Sequence, residues 1–259
     1  MMPIVTIGSV SIPTFFIMIS LSLSFLVIYL SQRAEKTELN RQAVFDMALI
    51  LMISGFLGGR LMHVFYEEWP YYQKYPVQIF YFWQGGFVFF GGFLLAALSA
   101  FVYCKVKKIN FLEMADFFAP LLSLSHAFGR LGCFFAGCCF GTKCDLPWAI
   151  EGRHPTTLYL FFGELLIFTY LLFFEKKIFK LNQPALTGSV FVKWVMLHCF
   201  LRLFVEYDRD DFRGAFYNWP LLGRLSISQM ICVVLILSCL AFFISRSSAM
   251  KKLYNRRPS

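Results

Sequence analysis

The chain has 259 residues, of which 58% are hydrophobic and 15% charged, against roughly 25% charged in an ordinary soluble domain. With 33 phenylalanines, this balance excludes a soluble globular fold, which could not hide so much apolar surface, and suits a bundle whose outside is lipid. The net charge of +9 does not point to nucleic acid, because the basic residues stand in short clusters at the ends of apolar runs.

Runs of about twenty apolar residues are long enough to cross a bilayer as helices. In chain order they fall near Ile12–Ser31, Ala43–Tyr66, Gly86–Cys104, Leu112–Gly132, Leu158–Phe174, Gly188–Glu206 and Ser226–Ser245. The first run lacks a basic stretch before it and reads as a retained helix rather than a cleaved signal. No polar linker or internal repeat divides the chain, so residues 1–259 are expected to form one transmembrane domain.

Arg33, Lys36 and Arg41 follow the first run; Lys105, Lys107 and Lys108 the third; Lys176, Lys177 and Lys180 the fifth. Arg246, Lys251, Lys252, Arg256 and Arg257 follow the seventh. With seven spans all four clusters share one side, which the positive-inside rule makes cytoplasmic. The expected fold is therefore an all-α, polytopic integral membrane bundle of about seven transmembrane helices, N-terminus outside and C-terminus cytoplasmic. Tyr71, Tyr72, Trp83, Trp148, Tyr217 and Trp219 in the remaining connections suit an interfacial aromatic belt.

Three arginines lie within these runs or at their outer ends: Arg60, Arg130 and Arg202. An arginine at membrane depth costs about 2.5–3.5 kcal/mol on insertion scales and lines a cavity, meets an anion or pairs with an acid. A guanidinium fork fits phosphate, and a phospholipid headgroup is the anion most available there. The alternative for Arg202 is an ion pair with Glu206, four residues on; Arg130 has no acid at helical spacing. Glycines at 129, 132, 137 and 141 surround Arg130, and Gly85, Gly86, Gly91 and Gly92 open the third run. They either pack helices or leave room for a lipid.

Six segments carry a resemblance. They are Gly58-Gly59-Arg60; Gly85-Gly86-Phe-Val-Phe-Phe-Gly91-Gly92; Gly129-Arg130-Leu-Gly132; His154-Pro155-Thr-Thr-Leu-Tyr159; Arg202-Leu-Phe-Val-Glu206-Tyr-Asp-Arg209; and Leu225-Ser-Ile-Ser-Gln229. In this order, and across nearly the whole chain, they resemble the prolipoprotein diacylglyceryl transferase family. The resemblance implies seven helices in the bacterial inner membrane. It also implies transfer of the diacylglyceryl group of phosphatidylglycerol, or a related anionic phospholipid, to a lipobox cysteine thiol. The acceptor lies in the signal-peptide region of a prolipoprotein; no cofactor is implied. Arg130 matches the family's lipid-binding arginine and Arg202 a second functional one. Gly141 ends the central motif, and Glu206 and Arg209 match the acidic and basic positions after Arg202. Arg60 joins these as an expected substrate contact.

The chain departs from the family pattern at four places. Phe90 stands where a candidate base, a histidine, is usual; Cys133 replaces an asparagine, Cys138 a glutamate and His198 a tyrosine. A phenylalanine cannot take a proton, so the site is expected to keep its phosphate-holding half and to change its acid–base half. Cys138 and His198 are the expected catalytic residues, with Cys133 beside them near Arg130. A guanidinium nearby favours thiolate. His126 and His154 are further candidate bases, His154 preceding a proline at a helix entry where a capping role competes. A non-catalytic lipid-binding paralogue and a transferase with another thiol acceptor are the alternatives.

Four of the eight cysteines stand in Cys133-x4-Cys138-Cys139-x4-Cys144. The paired CxxC of a zinc ribbon or a thiol oxidoreductase is absent, so no metal is expected from spacing. A disulfide on the outer side and inert apolar filling stay open for these four; filling is the expectation for Cys104, Cys199, Cys232 and Cys239.

Overall fold

The computed structural model describes residues 4–7, 10–37, 39–82, 85–181, 187–210, 216–219 and 223–254. Trp83, Arg256 and Arg257 lie outside them. After a short hairpin of β1 (Ile4–Ile7) and β2 (Val10–Pro13), the long helices are α1 (Thr14–Ala34), α2 (Arg41–Met62), α4 (Phe89–Lys107) and α5 (Phe111–Ala136). They continue as α6 (Thr156–Leu181), α7 (Ser189–Tyr207) and α8 (Ile227–Tyr254). A six-residue helix, α3 (Trp69–Lys74), follows α2, and a second hairpin, β3 (Phe216–Trp219) with β4 (Gly223–Ser226), leads into α8.

Among the described residues, five helices are long and apolar enough to cross a membrane, over Ile17–Ala34, Arg41–Glu67, Phe90–Lys107, Thr156–Lys176 and Ile227–Arg246. The chain is thus a mostly helical, multi-pass membrane protein. Helices α5 and α7 fall short of the apolar standard for a physical reason: they carry His126 and Arg130, and His198, Arg202 and Glu206, respectively.

The chain divides into two compact units, residues 31–114 and residues 1–30 with 115–259. In the first, α2 packs along α4. A Cβ on Gly92 would come within 2.6 Å of the Gly55 carbonyl oxygen, and Gly58 and Gly91 meet backbone to backbone. The glycines thus let two helices touch at their main chains, the use small residues have in membrane bundles. Arg60 is buried in this unit, its Nε on the carbonyl of Ile79 (3.1 Å) and its Nη2 on that of Gln78 (2.8 Å). Its Nη1 reaches the carbonyls of Gly85 and Gly86, and the rings of Tyr72 and Phe87 flank it. Arg60 thereby ties the short 3-10 helix Pro76–Phe80 to the glycine pair Gly85 and Gly86 through their backbone carbonyls. Phe90 sits in the first turn of α4.

The second unit is organised around α5, α6, α7 and α8. Ala119, Ile167, Leu171 and Val190 form one core, joining α5, α6 and α7. Cys199, Cys232 and Ile236 form another between α7 and α8. Asp116 on α5 accepts from the backbone N–H groups of Gly188 (2.6 Å) and Phe191 (2.8 Å), capping α7 from a distance, where the helix leaves N–H groups unpaired. Ser226 and Gln229 form a reciprocal capping box at the start of α8: Ser226 N–H donates to Gln229 Oε1 (3.0 Å), and Gln229 N–H to Ser226 Oγ (3.2 Å). Gly163 admits the Leu201 side chain where a Cβ would stand, which brings α6 and α7 close at the level of Glu164.

Candidate active site

The functional side chains of the second unit converge where α5 ends, α6 begins and α7 ends. The loop between α5 and α6 ties these ends together. Gly141 N–H donates to the carbonyl of His154 (2.8 Å), Thr142 N–H to that of Asp208 (2.8 Å), and Gly141 pairs with Arg209 in an isolated bridge. A Cβ on Gly141 would run into the Asp208 carbonyl oxygen and come within 2.7 Å of His154 Cβ, so the residue is glycine because backbone meets backbone there. Arg153 braces the same loop through Asp210 (2.7 Å). His154 lies 3.3 Å from the Tyr159 hydroxyl and 4.0 Å from Asp208.

Arg202 on α7 donates from Nη2 to Glu206 Oε2 (2.9 Å), and Glu206 Oε1 accepts from Ser226 Oγ (3.0 Å). The helical pair weighed from the sequence exists, yet it does not consume the guanidinium. Arg202 Nη1 is buried and meets no hydrogen-bond acceptor. Arg130 and Arg209 both lie within electrostatic reach of Arg202. Among the described residues three guanidiniums thus gather at Arg202 and Glu206, and a buried unmet donor such as Arg202 Nη1 is costly unless a ligand meets it.

Glu164 is a residue that the sequence reading overlooked. It has no exposure at all. Its Oε2 accepts from Ser123 Oγ (2.6 Å), and its Oε1 faces the Nδ1 atoms of His126 (3.1 Å) and, at a short hydrogen bond, His198. The two imidazoles sit edge to face with centroids 4.9 Å apart. Arg130 Nε donates to His126 Nε2 at 3.1 Å. The signal for Glu164 was available: an acid in the middle of an apolar run is a functional residue by default.

Cys133, in the last turn of α5, and the adjacent Cys138 and Cys139 bring their sulfurs within 4.8 Å of one another. All eight cysteines are free thiols. Gly137 and Cys139 adopt left-handed conformations, φ 73° and 63°, and the Cys139 carbonyl accepts from Thr156 Oγ1 (2.8 Å). Hydrogen bonds from Cys133 and Cys138, with Arg209 nearby, hold the Cys139 thiol well below the usual thiol range. Hydrogen bonds with Cys133 and Cys139, together with burial, push the Cys138 thiol up. Arg130 stands within electrostatic reach of Cys133.

The six motifs, now placed on this fold, agree with comparison to known proteins. A sequence model for prolipoprotein diacylglyceryl transferase matches residues 3–245. The chain belongs to that family. Membership makes it a membrane transferase of lipoprotein biosynthesis. It is 32% identical over 241 residues to the phosphatidylglycerol–prolipoprotein diacylglyceryl transferase of Clostridium tetani, covering 88% of this chain and 91% of that protein. Identity to the enzyme of the same name from Finegoldia magna is 32% over 209 residues, 79% of each chain. For Bordetella avium it is 30% over 252 residues, 92% of this chain and 91% of the relative. Of the site residues expected from this resemblance, the fold groups Arg130, Cys133, Cys138, Gly141, His198, Arg202, Glu206 and Arg209 within one unit, while Arg60 lies in the other.

Proposed function

We propose that this member of the family moves the diacylglyceryl group of phosphatidylglycerol, or a closely related anionic phospholipid, onto the thiol of a lipobox cysteine in a prolipoprotein. The reaction forms a thioether and releases glycerol phosphate. The protein is a single domain over residues 1–259 with seven spans in the bacterial inner membrane, N-terminus outside. In that arrangement α5 and α7 are spans despite their polar residues, because they complete the alternation that gathers the basic clusters on one side.

The observation that carries the reading is the buried, unmet Nη1 of Arg202 within a group of three arginines. A phosphate ester is an anion that guanidiniums hold by paired donors, and charge growing on the leaving phosphate is what such donors stabilise in the transition state. Arg130 and Arg202 hold the phosphate; Arg209, Glu206 and Gly141 shape the place where it sits. The acid–base half is rebuilt around Glu164. Its carboxylate takes the Nδ1–H of His198, which leaves Nε2 with a lone pair for the acceptor's thiol proton. Phe90 then needs no chemical role.

Complementation tests this reading. A strain depleted of its own family enzyme should regain lipoprotein maturation and growth when this chain is expressed, and should not with Arg202→Ala. Failure of the native chain, present in the membrane at the level of a working relative, would overturn the assignment. It would favour the lipid-binding reading that the loss of the histidine at position 90 otherwise invites.

A further inference from the structure

Resting on the transfer reading above, the geometry points to a zinc site built by Cys133, Cys138 and Cys139, whose open fourth position takes the acceptor thiol and presents it as thiolate. We infer this from the convergence of three sulfurs beside Arg130 and Arg209. One comes from the last turn of α5 and two from the turn beyond it. Sequence spacing conceals the site, because the ligands are not two CxxC pairs; the left-handed residues Gly137 and Cys139 fold the chain back on the helix end.

The dimensions suit the ion. Tetrahedral zinc with Zn–S bonds of about 2.3 Å places its sulfurs about 3.8 Å apart. The three sulfurs lie within 4.8 Å of one another, a difference that side-chain rotation closes. Three thiolates on a divalent ion leave one negative charge, and Arg130 beside Cys133 and Arg209 hydrogen-bonded to Cys139 compensate it. Cys138 is exposed, so the cluster opens outward rather than into a closed structural site. Three protein ligands with a vacant position are the pattern of catalytic zinc.

The chemistry follows from what zinc does to a thiol: a coordinated thiol gives up its proton outright. The acceptor's S–H proton passes to His198 Nε2. The zinc-held sulfur then attacks the glycerol carbon; the S–C bond forms as the C–O bond to phosphate breaks, and the phosphate leaves with the electron pair. No oxidant or reductant is involved. This site supplies thiol activation in a chain that carries Phe90 where a histidine is usual, and it uses two of the positions where the chain departs from its family.

The full-length protein, purified in detergent, reduced and freed of metal, is titrated with Co(II). One equivalent is expected to give a thiolate-to-metal charge-transfer band and tetrahedral d–d bands. Cys133→Ser, Cys138→Ser and Cys139→Ser should lose them and Cys144→Ser should keep them, and Zn(II) should displace the cobalt. A short apolar peptide with one cysteine is expected to shift the d–d bands, and its serine counterpart to leave them unmoved. Absence of the bands in the native chain, their survival in all three variants, or an unmoved spectrum with the cysteine peptide would each overturn the proposal. A shifted spectrum with no lipid transferred would uphold thiol capture and sink the transfer reading. Transfer that persists after complete chelation would do the reverse.

Discussion

Arg130 Nε donates to His126 Nε2 across 3.1 Å, and this contact fixes the tautomer of the imidazole. A guanidinium has donors only, so Nε2 must carry the lone pair and Nδ1 the hydrogen. That hydrogen faces the Glu164 carboxylate at 3.1 Å. Carboxylate, imidazole and guanidinium thus form one ordered chain across α6 and α5, and the charge of Glu164 orients the arginine that holds the phosphate. Metal-ligating and catalytic imidazoles are aimed by carboxylates in the same way.

Glu164→Gln should therefore damage both histidines at once. The amide cannot accept from Ser123, His126 and His198 as the carboxylate does. Turnover is expected to fall about 100-fold, in the range general-base catalysis contributes, with a rise in KM for the lipid as Arg130 loses its anchor. His126→Gln should raise KM while largely sparing kcat. Steady-state kinetics of the two variants separate these effects; equal loss of kcat in both would contradict the division of labour.

Arg202→Lys keeps a charge but removes the fork. The Glu206 pair can re-form with lysine, whereas the second donor, Nη1, is lost. A fall of at least about 100-fold in kcat/KM is expected, as for loss of one donor to a developing anion, with thermal stability close to the native chain. Arg202→Ala should be worse on both counts, because it also removes the cation paired with the buried Glu206 side chain. Activity of the lysine variant within a few-fold of native would mean that charge alone suffices.

How much of this could be read from the sequence depends on what each feature rests on. The apolar runs and their helices nearly coincide, as with Leu112–Gly132 against α5 and Gly188–Glu206 against α7, because period and composition are local properties. The two hairpins and α3 escaped, since their formation depends on neighbours rather than on apolar length. Arg130 and Arg202 stood out as costly charges in apolar runs. Glu164 carries the same signal, yet its importance lies in Ser123, His126 and His198, drawn from two other helices. The Cys133–Cys138–Cys139 cluster depends on left-handed turns that a spacing rule does not anticipate.

Gly141→Ala places a methyl against the Asp208 carbonyl oxygen. Destabilisation of about 1–3 kcal/mol is expected, the usual cost of overpacking, with activity falling further than stability because the loop positions Arg209 and Cys139. Thermal unfolding in detergent beside an activity assay checks this; a native-like melting temperature would contradict the close packing.

Arg60→Lys tests a different role. Its donors hold the carbonyls of Gln78, Ile79, Tyr81, Gly85 and Gly86, and lysine cannot reach them together. A loss of about 2–3 kcal/mol is expected, as for hydrogen bonds from a charged donor, while the KM for phospholipid stays unchanged. Limited proteolysis should become faster within 76–86. A selective rise in KM without destabilisation would instead place Arg60 against the lipid.

Mass spectrometry of the acceptor tests the central claim most directly. Purified protein is incubated with phosphatidylglycerol and a lipobox peptide, beside a conventional relative. The expected product is the peptide carrying one diacylglyceryl group on its cysteine sulfur, with glycerol phosphate released in equal amount and neither formed by Arg202→Ala. An unmodified peptide, while the relative converts its own, would contradict the assignment of diacylglyceryl transfer to this chain.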